Sequence, residues 1–487
     1  MLFNSFQFLL FFPIVTFFYF LLPHRFRWIL LLGASCYFYM KFIPKYILIV
    51  AAMIIKDFFS GIIIERIKSK KRKIILVINI ILSCLVLFLF KYYNFFNDSI
   101  KEIARLLKLN YTFPTLNIIL PIGLSFLLFQ SLGYVIDVYR GQQKAEKNFG
   151  IYALFVLFYP QLVAGPIERA QHLLHQLRED YYFDYQRVKE GLLLMIWGFI
   201  KKVVIADRLA ILVSTVYNNP TEYRGFPLII ATLFFSFQIY CDFSSYSDIA
   251  RGAAKVMGFD LMKNFHLPYF SKSIAEFWRN WHISLSTWFK DYIYIPLGGS
   301  RTTKIKFYRN ILIIFAISGL WHGASWNFII WGLLHAFYQI IGIEIKPLRS
   351  YLKKIFKINE DTIGHKLYKT ILTFLLVSFA WIFFRANSFY DAIYIIKNLF
   401  NFDPWSIFDG SIYKLGLDRW DFNLSLIILV IAFGISMLQK KFSMIEKLQK
   451  EHLILRWSIY LIGLFSIIIF GIYGNKYDAS QFIYFQF

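Results

Sequence analysis

The sequence has few charged residues, since Asp, Glu, Lys and Arg make up 17% of its 487 positions, against about a quarter in soluble globular domains. This scarcity, together with 58% hydrophobic residues, argues against a soluble fold. Strict alternation of apolar and polar residues, the mark of a transmembrane β-barrel, is also lacking. Apolar runs long enough to cross a hydrocarbon core of about 30 Å as helices recur instead. The sequence therefore predicts an all-α polytopic membrane protein.

Cysteine is scarce as well: Cys36, Cys84 and Cys241 lie far apart and form no Cys-x-x-Cys pair. A disulfide framework or a cysteine zinc site is therefore not expected, and the three are interpreted as small buried hydrophobes. The HExxH zinc motif, the GxSxG nucleophile motif and the Walker A loop are absent. We expect no metal ion and no permanently bound cofactor.

Negatively charged residues are also few: the chain has 29 Asp and Glu and 53 Lys and Arg, which gives a net charge of +24. The positive residues lie in short loops between apolar runs, where they mark the cytoplasmic side and attract anionic lipid. Nucleic-acid binding is not expected, since no basic soluble domain exists to hold it. The charge pattern predicts the N-terminus and segments 41–45 and 92–110 outside, and segments 25–27, 68–73 and 140–147 inside.

The apolar runs predict twelve spans, at about 7–22, 28–40, 44–64, 74–90, 115–138, 188–214, 226–246, 309–321, 325–345, 367–385, 422–438 and 455–473. The first is interpreted as a retained helix because no positive residue precedes it and no small-residue cleavage site follows it. We expect a single domain over residues 1–487. Its catalytic core is expected at roughly 150–345, where Pro, Gly and charge interrupt apolar sequence.

The segment 277–292 predicts an amphipathic interfacial helix. At helical spacing, Trp278, His282, Leu285 and Phe289 share one apolar face. An imidazole is unusual on such a face, so His282 is a candidate functional residue. The alternative is a structural histidine that donates a hydrogen bond to a buried carbonyl.

A second candidate, His322, lies between two apolar runs beside Gly319 and Gly323. Small residues allow close approach of a helix or a substrate, and ionisable residues inside a membrane are costly enough to suggest function. A helix-packing role is the alternative. His335 is interpreted as structural or as a support for a functional neighbour. A histidine acting as general base contributes about 10²–10⁴-fold to a rate.

Six segments of the chain are distinctive when taken together: residues 1–23, PQLVAGPIER (160–169), YCDFSSYSDIARG (240–252), the block 277–301, SGLWHGASWNFIIWG (318–332) and FIYFQF (482–487). They resemble the membrane-bound O-acyltransferase (MBOAT) superfamily, in its bacterial branch of alginate O-acetylation, peptidoglycan O-acetylation and teichoic acid D-alanyl transfer proteins. The chain length favours the alginate type.

The resemblance implies a ring of roughly 11–12 transmembrane helices, with re-entrant and interfacial helices, around a central tunnel. It implies that His322, in the WHG motif, is the catalytic histidine of the family. It also implies that His282 occupies the position of the family's second characteristic polar residue and belongs to the catalytic site. Further residues of the same segments are predicted to line the tunnel or contact substrate, namely Asn280, Trp281, Ser286, Trp321, Trp326, Tyr240 and Asp242.

The resemblance also implies an O-acetyltransferase of the bacterial cytoplasmic (inner) membrane. An acyl group would pass from a cytoplasmic thioester donor, acetyl-CoA or an acyl-carrier protein, to an extracytoplasmic polysaccharide such as alginate or a cell-wall polymer. A separate SGNH-type transferase is expected as partner. The alternatives are a transporter or flippase of an acyl donor or polymer precursor, and a scaffold that recruits a secreted transferase.

Overall fold

A computed structural model describes residues 1–163, 165–401, 405, 408–440 and 444–473. Throughout this part of the chain the regular structure is helical, and the all-α class is confirmed. The chain divides into two compact units. The first unit contains Met1–Met195 and Ser247–Met262, and the second contains Ile196–Tyr246 and the described residues from 263 onward. Ala164 and the closing FIYFQF segment, which belong to the resemblance, lie outside the described residues.

The helices of the N-terminal half are α1 (Phe6–Leu21), α2 (His24–Met40), α3 (Ile47–Arg66), α4 (Lys71–Leu87), α5 (Tyr93–Leu106), α6 (Leu124–Arg140), α7 (Phe149–Leu157), α8 (Ala170–Leu173), α9 (Tyr185–Phe199), α10 (Asp207–Asn218) and α11 (Phe226–Met257). A π-helical turn, Phe88–Tyr92, joins α4 to α5, and another, Ile200–Ala206, joins α9 to α10. Helices α9 and α11 each contribute residues to both units.

The helices of the C-terminal half are α12 (Ile274–Asn280), α13 (Ile283–Phe289), α14 (Lys304–His322), α15 (Trp326–Glu344), α16 (Lys346–Ile355), α17 (Ile363–Arg385), α18 (Phe389–Asn398), α19 (Arg419–Gln439), α20 (Met444–Lys450) and α21 (Leu453–Phe470). They belong to the second unit.

Seven of the described helical segments are long and apolar enough to cross a membrane: Pro44–Arg66, Lys71–Leu106, Phe226–Met257, Trp326–Glu344, Ile363–Arg385, Arg419–Gln439 and Leu453–Phe470. Helix α1 is apolar but shorter. These segments agree with a multi-pass membrane protein. The count of 11–12 spans and the ring around a tunnel stay predictions.

Two predicted spans differ from the structure. The span at 115–138 begins at Leu124 instead, because Pro114 and Pro121 resist helix formation and Gly123, at φ +73°, takes a left-handed conformation. The span at 188–214 is interrupted by the π-helical turn Ile200–Ala206. Insertions of this kind disturb the helical ladder and are frequent at functional sites.

The described residues of the PQLVAGPIER segment (160–169) form irregular backbone inside the protein. Helix α7 ends at Leu157, and the described residues from 158 to 168 lie buried without forming a helix. Gln161 donates a side-chain hydrogen bond of 2.7 Å to the Phe155 carbonyl, and Glu168 accepts one of 2.5 Å from the Met262 backbone N–H. The Phe155 carbonyl lies in the last turn of α7, so the bond from Gln161 satisfies a group that the end of the helix leaves open.

Loops of the first unit that the charge pattern assigns to one side of the membrane also meet in space. On the predicted inner side, the Arg72 guanidinium donates a hydrogen bond of 2.8 Å to the Tyr139 carbonyl. On the predicted outer side, the Met1 ammonium donates one of 2.8 Å to the Phe38 carbonyl, near the end of α2. The contacts agree with the predicted sidedness because each joins an assigned segment to a helix end next to a segment with the same assignment.

This sidedness is testable with single cysteines in a variant whose Cys36, Cys84 and Cys241 are replaced by alanine. We expect a membrane-impermeant maleimide to label Lys101→Cys, on the predicted outer side, in sealed right-side-out vesicles. Ser69→Cys, in the basic α3–α4 loop, should react only after permeabilisation, since positively charged loops stay on the cytoplasmic side. Labelling of Ser69→Cys in sealed vesicles would contradict the assignment.

Candidate active site

Helices α14 and α15 form a tightly packed hairpin with backbone touching backbone. A Cβ atom added at Gly319 would lie 2.2 Å from the Phe328 carbonyl oxygen, and one at Gly332 would lie 2.1 Å from the Phe315 carbonyl oxygen. Only glycine fits such an approach, which is typical of packed membrane helices. The small residues around His322 are expected to allow close approach of a helix or a substrate, and in the structure α15 makes this approach.

The hairpin places His322 at the last position of α14, just before Gly323 turns the chain. The imidazole is 4% exposed. Its ring centroid lies 4.9 Å from that of Trp331, 5.0 Å from that of Trp321 and 5.4 Å from that of Phe384. Side chains of α14, α15 and α17 thus give His322 an aromatic pocket.

The segment around His282 differs from the prediction, because 277–292 is not one continuous helix. Helix α12 ends at Asn280, α13 begins at Ile283, and a π-helical turn follows. His282 lies at the break with φ +44° and ψ +56°, a left-handed conformation that costs a non-glycine residue roughly 1–2 kcal/mol. The four residues of the predicted apolar face are nevertheless all buried: Trp278, His282, Leu285 and Phe289.

Hydrogen bonds from a neighbouring segment hold this break in place. The Ile283 N–H donates a bond of 2.9 Å to the Asn264 carbonyl, and the Ser284 hydroxyl donates one of 2.6 Å to the Asn264 side-chain oxygen. The Ser286 N–H donates a bond of 2.9 Å to the His282 carbonyl. Strained backbone persists only where the surroundings over-determine it, and such positions cluster at functional sites.

The two candidate histidines share one neighbour. The Trp321 ring lies 5.0 Å from the His322 ring and 6.1 Å from the His282 ring, measured between centroids. His282 is fully buried and lies 4.6 Å from the Phe243 ring. Within the described residues, no group of three His, Cys, Asp or Glu could hold a metal ion. The structure therefore brings both histidines into one buried, aromatic region.

Of the other residues predicted to line the tunnel, three lie in or beside the break between α12 and α13, and one lies at the start of α15. Trp281 is buried and packs 5.2 Å from Trp381 and 6.2 Å from Tyr240. Asn280 and Ser286 make local bonds: the Asn280 amide donates one of 3.1 Å to the Ser271 hydroxyl, and the Ser286 hydroxyl donates one of 3.2 Å to the Trp281 carbonyl. Trp326, by contrast, is 57% exposed at the start of α15.

His335, interpreted from the sequence as structural or supporting, lies next to this region. It is fully buried, with its ring 5.1 Å from Trp278 and 5.3 Å from Trp331. Trp331 also contacts His322, so its indole ring is a neighbour of both histidines. This placement agrees with a supporting role.

Asp242, predicted to line the tunnel, belongs to a buried ion cluster. Its carboxylate lies 2.6 Å from the Lys202 ammonium, which also lies 2.9 Å from the Asp207 carboxylate. The neighbouring Lys201 ammonium donates a hydrogen bond of 2.8 Å to the Ser244 hydroxyl. Sequence reasoning missed both lysines, although two lysines in the apolar run MIWGFIKKVVIA are a signal of function or structure inside a membrane.

Comparison with known proteins identifies the class. Residues 147–354 match the MBOAT model, the membrane-bound O-acyltransferase family. The chain is 37% identical over 414 residues to the protein named "Probable alginate O-acetylase AlgI" of Azotobacter vinelandii, covering 84% of this chain and 80% of that protein. It is 33% identical over 399 residues to the peptidoglycan O-acetyltransferase of Helicobacter pylori, covering 76% and 73%.

A more distant match is the teichoic acid D-alanyltransferase of Bacillus subtilis, 29% identical over 237 residues, covering 46% of this chain and 59% of that protein. The chain belongs to the membrane-bound O-acyltransferase family. It is a multi-pass membrane enzyme, an O-acyltransferase, and this confirms the expected class of activity over the transporter and scaffold alternatives.

The ion cluster generates a stability prediction. In Lys202→Met, the buried Asp207 and Asp242 carboxylates would lose the ammonium group that pairs with both of them. Breaking a buried pair in this way costs about 3–5 kcal/mol. We expect a lower melting temperature and a lower yield of folded protein in detergent, whereas Lys306→Met, at an exposed position, should behave as wild type. An unchanged melting temperature in Lys202→Met would contradict this account.

Proposed function

We propose that the enzyme transfers an acetyl group from a cytoplasmic thioester donor towards the hydroxyl of an extracytoplasmic polysaccharide or cell-wall polymer. The observation that supports this most directly is the pair of buried histidines around Trp321, in a chain that is similar to proteins named as O-acetylases. The membrane is proposed to be the bacterial cytoplasmic (inner) membrane.

His322 is proposed as the general base. Its imidazole accepts the proton of the acceptor hydroxyl as the oxygen attacks the thioester carbonyl carbon. The carbon–sulfur bond then breaks, the proton passes to the departing sulfur, and the products are an ester and a free thiol. Walls formed by Trp321, Trp331 and Phe384 exclude water, which would otherwise hydrolyse the thioester.

His282 is proposed to orient and polarise the acyl carbonyl. The break between α12 and α13 fixes its backbone, and Phe243 packs against its ring at 4.6 Å. A donor held in advance at the place where negative charge develops on the carbonyl oxygen stabilises the transition state without reorganisation. The bonds from Ile283 and Ser284 to Asn264 support that fixed position.

The acceptor class is proposed from the relatives. Those that match 84% of the chain are named for alginate, and one at 76% is named for peptidoglycan. The relatives named for teichoic acid D-alanylation match 49% or less of the chain. We therefore propose a polysaccharide or cell-wall polymer as acceptor, and acetyl-CoA ahead of a carrier-protein thioester as donor. A separate SGNH-type transferase is proposed as the partner that completes transfer outside, as the resemblance implies.

The role of His322 is testable in membranes supplied with radiolabelled acetyl-CoA. His322→Gln is expected to lower the transfer rate by about 10²–10⁴-fold, since a positioned general base contributes that much. His452→Gln, which changes an exposed histidine before α21, is the matched control and should retain wild-type transfer. A folded His322→Gln protein with near wild-type transfer would disprove the assignment.

The left-handed backbone at His282 allows a separate test of its imidazole. Glycine and asparagine both tolerate this conformation, so His282→Gly and His282→Asn are each expected to yield folded protein. Transfer should be lost in His282→Gly and partly retained in His282→Asn, whose amide N–H can still donate to a carbonyl oxygen. If initial transfer rates in His282→Gly equal those of wild type, the His282 side chain takes no part in the chemistry and the residue has only a structural role in the backbone.

A further inference from the structure

Two neighbouring cavities open in the first unit. One, of about 730 Å³, is lined by residues 143–149 and Arg178. The other, of about 300 Å³, is lined by parts of α1 and α2, by Asn148, Ile151 and Phe259, and by residues 177–179. Both cavities include Asn148 and Arg178 in their lining, so they adjoin each other, and together they are here called the basic groove.

Cations dominate the lining of the basic groove. They are Arg25, Arg27, Lys144, Lys147 and Arg178, against the two carboxylates Glu146 and Glu179.

Only some of these cations are neutralised. Arg178 pairs with Glu146, and Arg27 lies 2.9 Å from the Asp180 carboxylate. Arg25, Lys144 and Lys147 have no carboxylate within ion-pair distance in the described part of the chain. Three unpaired cations around one depression create a local positive potential that attracts an anion.

The other walls of the groove indicate what kind of anion fits. Trp28, Leu31, Ile151 and Phe259 give the smaller cavity an apolar and aromatic side. The loops that bring the cations, 25–27 and 140–147, are both predicted to be cytoplasmic. A ligand suited to these walls carries an anionic group beside an apolar or aromatic portion.

We propose that the basic groove binds the phosphate group of an amphiphilic cytoplasmic-side ligand, either an anionic membrane lipid or a coenzyme A compound. Lysine and arginine ammonium and guanidinium groups are the usual protein partners of phosphate. The coenzyme source rests on the proposed function, whereas the lipid source does not. Neither source requires the assignment of the histidines.

The test uses the full-length protein and a charge-matched pair of double variants. Lys144→Gln/Lys147→Gln removes two cations from the groove. Lys45→Gln/Lys101→Gln removes two exposed lysines at the predicted outer side of the same unit. Calorimetry of coenzyme A binding in phosphatidylcholine nanodiscs probes the first source. The rise in melting temperature when phosphatidylglycerol is added to detergent-solubilised protein probes the second.

We expect the groove variant to lose about tenfold in affinity for coenzyme A or to lose the phosphatidylglycerol shift, while the control variant matches wild type. Loss of the first identifies the coenzyme as the source, and loss of the second identifies the lipid. The proposal is overturned if wild type shows neither response, or if the groove variant and wild type respond alike. Because binding needs no turnover, His322→Gln should retain it, and this separates a failure here from a failure of the proposed chemistry.

Discussion

The geometry of the candidate active site depends on the contact between α14 and α15. Gly319 and Gly332 let the two helices approach until a Cβ on either would overlap a backbone carbonyl of the other. Trp331 directly precedes Gly332, so the contact that joins the two helices also places the Trp331 indole beside the His322 imidazole. Phe384 of α17 then completes the pocket. A wider spacing would separate Trp331 from the imidazole, even with every residue in place.

His282 is placed by a different device, a break in the backbone. The chain leaves α12, adopts a left-handed conformation at one residue and enters α13 with its first N–H groups turned towards Asn264. Rigid position is what a group that stabilises developing charge requires. The helix pair α14–α15 and this break are independent in sequence, yet both bring a histidine to the ring of Trp321.

Much of this could be predicted from the sequence, and the failures have physical reasons. Apolar length located most helices, and lysine and arginine in loops gave a sidedness with which contacts such as Arg72–Tyr139 agree. Periodicity placed His282 on the buried face but missed the break, because a pattern of apolar residues carries no information about a positive φ. Physical reasoning made His282 and His322 candidates, family resemblance made them a catalytic pair, and their chemistry stays a proposal.

Long-range pairing was the other gap. Lys202 and Asp242 are 40 positions apart, and the sequence around either residue does not indicate that the two form an ion pair. Their pairing also has a consequence near the site, because burying charges yields little net stability while it fixes geometry closely. Asp242 is held by Lys202 at 2.6 Å, and the next residue, Phe243, packs against His282. The ion cluster therefore adjoins the wall behind this imidazole, and we expect it to fix the position of Phe243.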